Sequence, residues 1–135
     1  MALQLEIVTP RGKVVDVAID EVCVPGTLGE FGILEGHVPV LSALKAGILR
    51  YRVGNKTEQV ALGGRGYVEI AGEKKVMVIS DKCVTKAEVD PQLAKEELAA
   101  AQSRLADFSG PTDDPEYKAI EQQAQWAEAQ LALLA

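Results

Sequence analysis

Little in this chain is equipped for covalent chemistry. Its 135 residues include one histidine, His37, and two cysteines, Cys23 and Cys83. A protein zinc site draws on about four ligands, and these three residues show no ligand spacing, so no metal is expected. The cysteines sit in apolar, strand-like surroundings. They read as buried free thiols of a reducing compartment, with a disulfide or a reactive thiol as the alternative. Aromatic residues make up 4% of the chain against 47% hydrophobic residues overall, so the core must be built from Val, Ile, Leu and Ala. No apolar run approaches the ~20 residues of a membrane-spanning helix. Residues 1–13 lack the basic head and apolar block of a signal peptide. The net charge of −6 sets the chain against phosphate backbones and anionic lipid, so neither nucleic-acid binding nor membrane insertion is expected.

Catalytic patterns are absent too. No Ser, Cys or Thr stands in a nucleophile elbow or triad context that His37 could serve as base. Gly26-Thr27-Leu28-Gly29 and Gly63-Gly64-Arg65-Gly66 lack the lysine and hydroxyl that follow a phosphate-binding loop. They read instead as turns, placed where the backbone needs positive φ or close approach. The sequence therefore argues for a non-enzymatic protein.

What is present is two regions with different periods. From Leu3 to about Ser80 apolar residues alternate. Leu3, Leu5 and Ile7 are followed by Val15, Val17 and Ile19, then Val22 and Val24, then Leu49, Tyr51 and Val53, then Val76, Val78 and Ser80. Alternation buries one face of a strand, and turn residues punctuate the runs at Pro10-Arg11-Gly12, Pro25-Gly26, Gly54-Asn55, Gly63-Gly64 and Ala71-Gly72. Many short strands with frequent turns indicate a β-sandwich or barrel. Near Asp90 the period becomes helical. Ala94, Leu98, Ala101, Leu105 and Phe108 form one seam. Tyr117, Ile120, Ala124, Ala127, Leu131 and Leu134 form another. Asp90-Pro91 and Asp114-Pro115 each pair an N-cap acceptor with a proline at the first helical position. Ser109-Gly110-Pro111 ends the first helix, so the two must be antiparallel neighbours.

The seams are rich in alanine, so the hairpin gains little apolar burial and must lean on something else. It is either an arm that docks and detaches or a permanent cap. Residues 91–135 carry three basic and eight acidic residues, a net of −5, leaving −1 for the first 90. One further segment, Gly29 to Pro39, presents Phe31, Ile33 and Leu34. They form an adhesive surface or else turn inward.

That segment, Gly29-Glu30-Phe31-Gly32-Ile33-Leu34-Glu35-Gly36-His37-Val38-Pro39-Val40-Leu41, with Leu44 and Gly47-Ile48-Leu49-Arg50, resembles the epsilon subunit of bacterial and chloroplast ATP synthases, whose mitochondrial counterpart is called delta. Gly63-Gly64, Val68-Glu69-Ile70 and Val76-Met77-Val78-Ile79 extend the similarity over essentially the whole chain. The resemblance implies a ten-stranded antiparallel β-sandwich over residues 1–86 and a two-helix hairpin over 87–135. It implies a non-catalytic rotor subunit in the central stalk of a proton-translocating synthase, peripheral on the cytoplasmic face of a bacterial inner membrane. The implied partners are the gamma subunit, the ring of c subunits and, through an extended hairpin, alpha and beta. Glu30, Phe31, Gly32, Ile33 and His37 are the implied ring contacts.

Some members of that family hold ATP at the hairpin through an Ile/Leu-Asp-x-x-Arg-Ala motif. Here Val89-Asp90-Pro91-Gln92-Leu93-Ala94 keeps Asp90 and Ala94, but Leu93 replaces the arginine. A triphosphate needs several cationic donors, so no cofactor is expected and ATP binding should be weak or absent. The rival readings are a small-ligand sensor with polar groups converging where sandwich and hairpin meet, and a general interaction module.

Overall fold

A computed structural model describes residues 3–34, 39–72 and 74–135. The strands in chain order are β1 (Leu3–Thr9), β2 (Gly12–Ile19), β3 (Glu21–Gly26), β4 (Gly29–Leu34), β5 (Val40–Leu44), β6 (Gly47–Val53), β7 (Lys56–Ala71) and β8 (Lys75–Thr85). A short 3₁₀ turn over Lys86–Glu88 leads into helices α1 (Pro91–Asp107) and α2 (Pro115–Leu134).

The strands follow the order β2-β1-β8-β7-β5-β3-β4, and β6 pairs with both β3 and β7. Long strands fold this sheet over on itself. The first half of β7 pairs with β6, from Lys56 to Leu62, and its second half pairs with β5, from Gly66 to Ile70. Alternating residues from both layers meet in one core, in which Leu5, Ile7, Ile19, Val22, Val24, Ile33, Leu49, Val68, Val76 and Val78 are fully buried. This is the sandwich that the period-two pattern demands.

Three details differ from expectation. Eight strands form among the described residues rather than ten, because β7 and β8 run unbroken through the bend. Gly63-Gly64 is accordingly not a turn but a bulge inside β7, where the register against β8 shifts between Gly63 and Gly66. Bulges sharpen the bend of a strand, as a fold-over requires. Gly64 has φ +73°, and a Cβ there would come 2.6 Å from Asp81 Cβ. Buried Ser80 closes the bulge, its hydroxyl lying 3.1 Å from the Gly63 carbonyl and 2.9 Å from that of Lys82. Finally, the sheet is not wholly antiparallel: β1 runs parallel to β8, Gln4–Val8 against Lys75–Ile79. These strands come from opposite ends of the sandwich sequence, so no hairpin constrains their direction.

Both helices begin as their caps dictate. Asp90 Oδ1 accepts from the Leu93 amide at 3.2 Å, and Asp114 Oδ1 accepts from the Glu116 amide at 2.8 Å. Ala101, Ile120 and Ala124 form the seam, flanked by Leu98, Leu105 and Phe108. Phe108 meets Tyr117 edge-on, with ring centroids 5.4 Å apart. The second face of α2 departs from the sequence reading. Ala129 and Leu133, with Trp126 and Leu134, pack on Ala61, Ile48, Val84 and Val89. Leu134 thus belongs to the contact with the sandwich and not to the seam. α2 is the middle layer: it lies against the sandwich and carries α1 on its other side.

Candidate partner-binding surfaces

Three places combine exposure with unusual side chains. The first is the β3–β4 end. Gly26 pairs with Gly29 across the two-residue turn Thr27-Leu28. Gly29 takes φ +131°, and a Cβ at Gly26 would come 2.7 Å from the Gly29 carbonyl oxygen and 2.9 Å from Phe31 Cε1. Only glycine permits so tight a reversal, and it leaves Leu28 fully exposed at the tip. The neighbouring β5 segment steadies the turn: Thr27 N donates to Ala43 O at 3.1 Å, and Lys45 N donates to Pro25 O at 3.0 Å.

Strand alternation then sorts the expected ring contacts. Phe31 and Ile33 point inward opposite Val24 and Val22. Ile33 is 0% exposed, so its side chain cannot serve as a surface contact, and Phe31 is half-buried against the core. Glu30 and Gly32 face out. The Glu30 carboxylate forms an ion pair with Arg50 of β6 and accepts from Cys23 Sγ at 3.3 Å. Burial, then Glu30 itself, pushes the Cys23 thiol above its ordinary range. Arg52 continues the ladder, 3.2 Å from Glu21 and 3.6 Å from Asp20. This outer face is thus self-neutralised. His37 lies outside the described residues.

The second place is the outer face of β1, β8, β7 and β5. Val8 pairs with Ile79, Ile79 with Tyr67, and Tyr67 with Ala43, so one rung crosses four strands with apolar or aromatic side chains. The next rung holds Glu6, Met77, Glu69 and Leu41. Leu41 is 69% exposed and Tyr67 41%, so no element among the described residues covers them fully. Glu6 is neutralised within the face by Lys13 at 2.6 Å and Lys75 at 2.8 Å. Lys13 first, and Lys75 with it, holds the Glu6 carboxyl below the usual range. A sheet face with an uncovered apolar band and balanced charge has the character of a protein interface. Alternation in the sequence marks the phase of β1 and β8 through Leu5, Ile7, Val76 and Val78, but not that of β5 or the second half of β7, so neither Leu41 nor Tyr67 stands out there. The available signal was that Tyr67 stands out of phase with Val68 and Ile70.

The third is the joint between sandwich and hairpin. Lys82, Glu97, Arg104, Gln123 and Trp126 line a hollow of about 290 Å³. These are the converging polar groups a ligand sensor would need, but they largely satisfy one another. Arg104 donates to Gln123 Oε1 at 3.4 Å, and the Lys82 ammonium sits over the Trp126 ring. The retained nucleotide-motif residues are also occupied, Asp90 capping α1 and Ala94 buried, while Leu93, in the place of the motif arginine, is half-exposed. Among the described residues no cluster of His, Cys, Asp and Glu could hold a metal ion, and no helix is long and apolar enough to cross a membrane.

Residues 2–86 match the model of the ATP synthase delta/epsilon chain β-sandwich domain. An ATP synthase epsilon chain of Carboxydothermus hydrogenoformans is 42% identical over 104 residues, covering 77% of this chain and 76% of that one. The epsilon chain 2 of Syntrophotalea carbinolica is 39% identical over 107 residues, covering 79% and 76%. Among solved structures, a chain of the Euglena gracilis mitochondrial ATP synthase, from a structure of OSCP, F1 and the c-ring, superposes with TM-score 0.79 at 20% identity, over 99% of this chain and 82% of that one. A chain from the central stalk and c-ring of the Tetrahymena thermophila enzyme superposes with TM-score 0.65 at 11% identity, over 100% and 98%.

Proposed function

The chain belongs to the ATP synthase delta/epsilon chain family, and from that premise we propose that its uncovered sheet face grips the gamma subunit while the β3–β4 end meets the ring of c subunits. It is a non-catalytic central-stalk subunit of a rotary ATP synthase, passing the rotation of the ring to the catalytic head. The observation that carries the assignment of faces is the four-strand rung Val8, Ile79, Tyr67 and Ala43 with Leu41 beside it. Torque needs a broad contact, and a rung that crosses four strands offers one.

At the ring-facing end the surface contributors would be Leu28, Glu30, Gly32 and part of Phe31. The enzyme would sit at the cytoplasmic face of a bacterial inner membrane, with this subunit peripheral to it. The α1–α2 hairpin would act as an arm that regulates ATP hydrolysis by extending toward alpha and beta. Its charge of −5 opposes deep insertion beside acidic surfaces, so regulation would rest on apolar contact.

A pull-down with the gamma subunit tests the assignment. Tyr67→Asp combined with Leu41→Asp should abolish capture while the circular dichroism spectrum stays that of the parent. Leu28→Asp should leave gamma capture intact and weaken association with the c-ring. Undiminished gamma capture by the double variant would refute the assigned face. For ATP, the replacement of the motif arginine by Leu93 and the capping role of Asp90 support weak or absent binding. Calorimetry of the isolated chain should show no saturation at micromolar ATP.

A further inference from the structure

Trp126 is the chain's only tryptophan, and its place is specific. The ring lies on the backbone of Gly63, at the bulge of β7. A Cβ at Gly63 would fall 2.6 Å from Trp126 Cδ2 and 2.9 Å from Cζ3, inside the ring's van der Waals envelope. Yet Gly63, unlike Gly64, is not among the glycines with positive φ. Its backbone would accept any residue, so glycine is needed there for room alone. The cross-strand partner of Gly63 is Lys82, whose ammonium stands 5.6 Å from the indole centroid. A cation over an indole face is attracted by the ring quadrupole. The bulge thus presents a bare floor with a cation at its side, and Ser80 holds both carbonyls of that floor.

The remainder of the docking contact is thin. α2 brings Ala129, Leu133 and Leu134 to Ala61, Ile48, Val84 and Val89, and Trp126 is the largest side chain among them. An aromatic ring offers more apolar area than any other side chain of this contact. We propose that the seat of Trp126 on Gly63 and Lys82 is the latch that sets whether the hairpin lies on the sandwich or leaves it. This rests on the reading of the hairpin as a regulatory arm, and it adds which contact controls release.

The lone tryptophan reports on its own latch. In Gly63→Ala the added methyl displaces the ring. Trp126 emission should shift toward that of a solvated indole, and proteolytic cleavage of residues 86–135 should accelerate by about tenfold or more. Gamma capture should stay unchanged, since Leu41 and Tyr67 are left in place. Lys82→Met should produce the same shift in smaller degree. Trp126→Ala leaves the strand intact and supplies the check if Gly63→Ala does not fold: its hairpin should become protease-sensitive while the sandwich stays protected. Unmoved emission in Gly63→Ala, or a hairpin as protected in Trp126→Ala as in the parent, would overturn the latch. The regulatory reading fails separately. If the variants release the hairpin but the assembled synthase hydrolyses ATP at the parental rate, the latch stands and the arm does not regulate.

Discussion

The sandwich and the hairpin bury their side chains by different means. The sandwich core is made of branched aliphatics, and Leu5, Ile7, Ile19, Ile33, Leu49 and Leu62 are all sealed from solvent. In α1 the buried residues are Ala94 and Ala101. In α2 they are Ile120, Ala124, Ala127, Ala129 and Leu133. An alanine removes little apolar area from water, yet ordering its backbone costs as much as ordering that of a leucine. The sandwich thus holds itself together, whereas the hairpin depends on its contacts. A body that transmits force and an arm that responds belong on opposite sides of that line.

Matched truncations break the comparison most sharply if it is wrong. Leu49→Ala, in the middle of the sandwich, should cost about 2–5 kcal/mol of global stability, read as a lower denaturant midpoint. Ile120→Ala, in the seam, should cost about 2 kcal/mol, and the loss should appear as faster amide exchange within α1 and α2 while sandwich amides stay protected. Equal global losses for the two variants would mean that sandwich and hairpin unfold as one unit. A smaller effect separates the helices themselves. Asp90→Ala and Asp114→Ala each remove a carboxylate that accepts an orphan amide, at about 1 kcal/mol apiece. Exchange at the Leu93 and Glu116 amides should rise, with no shift in the sandwich midpoint.

How much of this could be read from the sequence follows from where each structural cause resides. Alternation exposed the strands because Leu3, Leu5 and Ile7 bury on one side by the geometry of the pleat alone. Asp-Pro pairs exposed the helix starts because capping is local chemistry. Gly63-Gly64 was misleading because a glycine pair serves a turn or a bulge equally well, and the choice is made by β6, β5 and β8 pairing along a strand of 16 residues. The seam of α2 was legible as a helical stripe. Its second face was not, since Trp126 and Leu133 gain meaning only from the sheet beneath them. For the binding surfaces, Glu30 and Gly32 emerged on the outside, whereas Ile33 obeyed the strand phase and went in. Leu41 and Tyr67 became visible as a surface only when the register set them beside Ile79 and Val8.

The joint between the two regions gives the smallest expected effect and the finest test. Cys83, near the end of β8, is pushed by burial, and secondarily by the Glu88 charge, from an ordinary 9.0 to about 11. Glu88 is moved the other way: the Thr85 amide donates to it at 2.9 Å, and the Thr85 hydroxyl at 3.0 Å, so its carboxyl titrates below its ordinary value. Linkage fixes the signs. A raised thiol pKa means that the folded state holds its proton longer. Cys83 therefore contributes fully below pH 9, and that contribution is lost as pH rises from 9 toward 11. Glu88 contributes above its ordinary 4.5 and loses that contribution as pH falls through its folded-state value. Denaturation midpoints measured against pH should show the alkaline decline flattened in Cys83→Ala and the acid decline flattened in Glu88→Gln. Each variant should leave the other limb parallel to the parent. If Cys83→Ala and the parent decline in parallel between pH 9 and 11, the thiol is as ionisable folded as unfolded. The close of the sandwich at β8 would then be as loosely held as the arm that follows it.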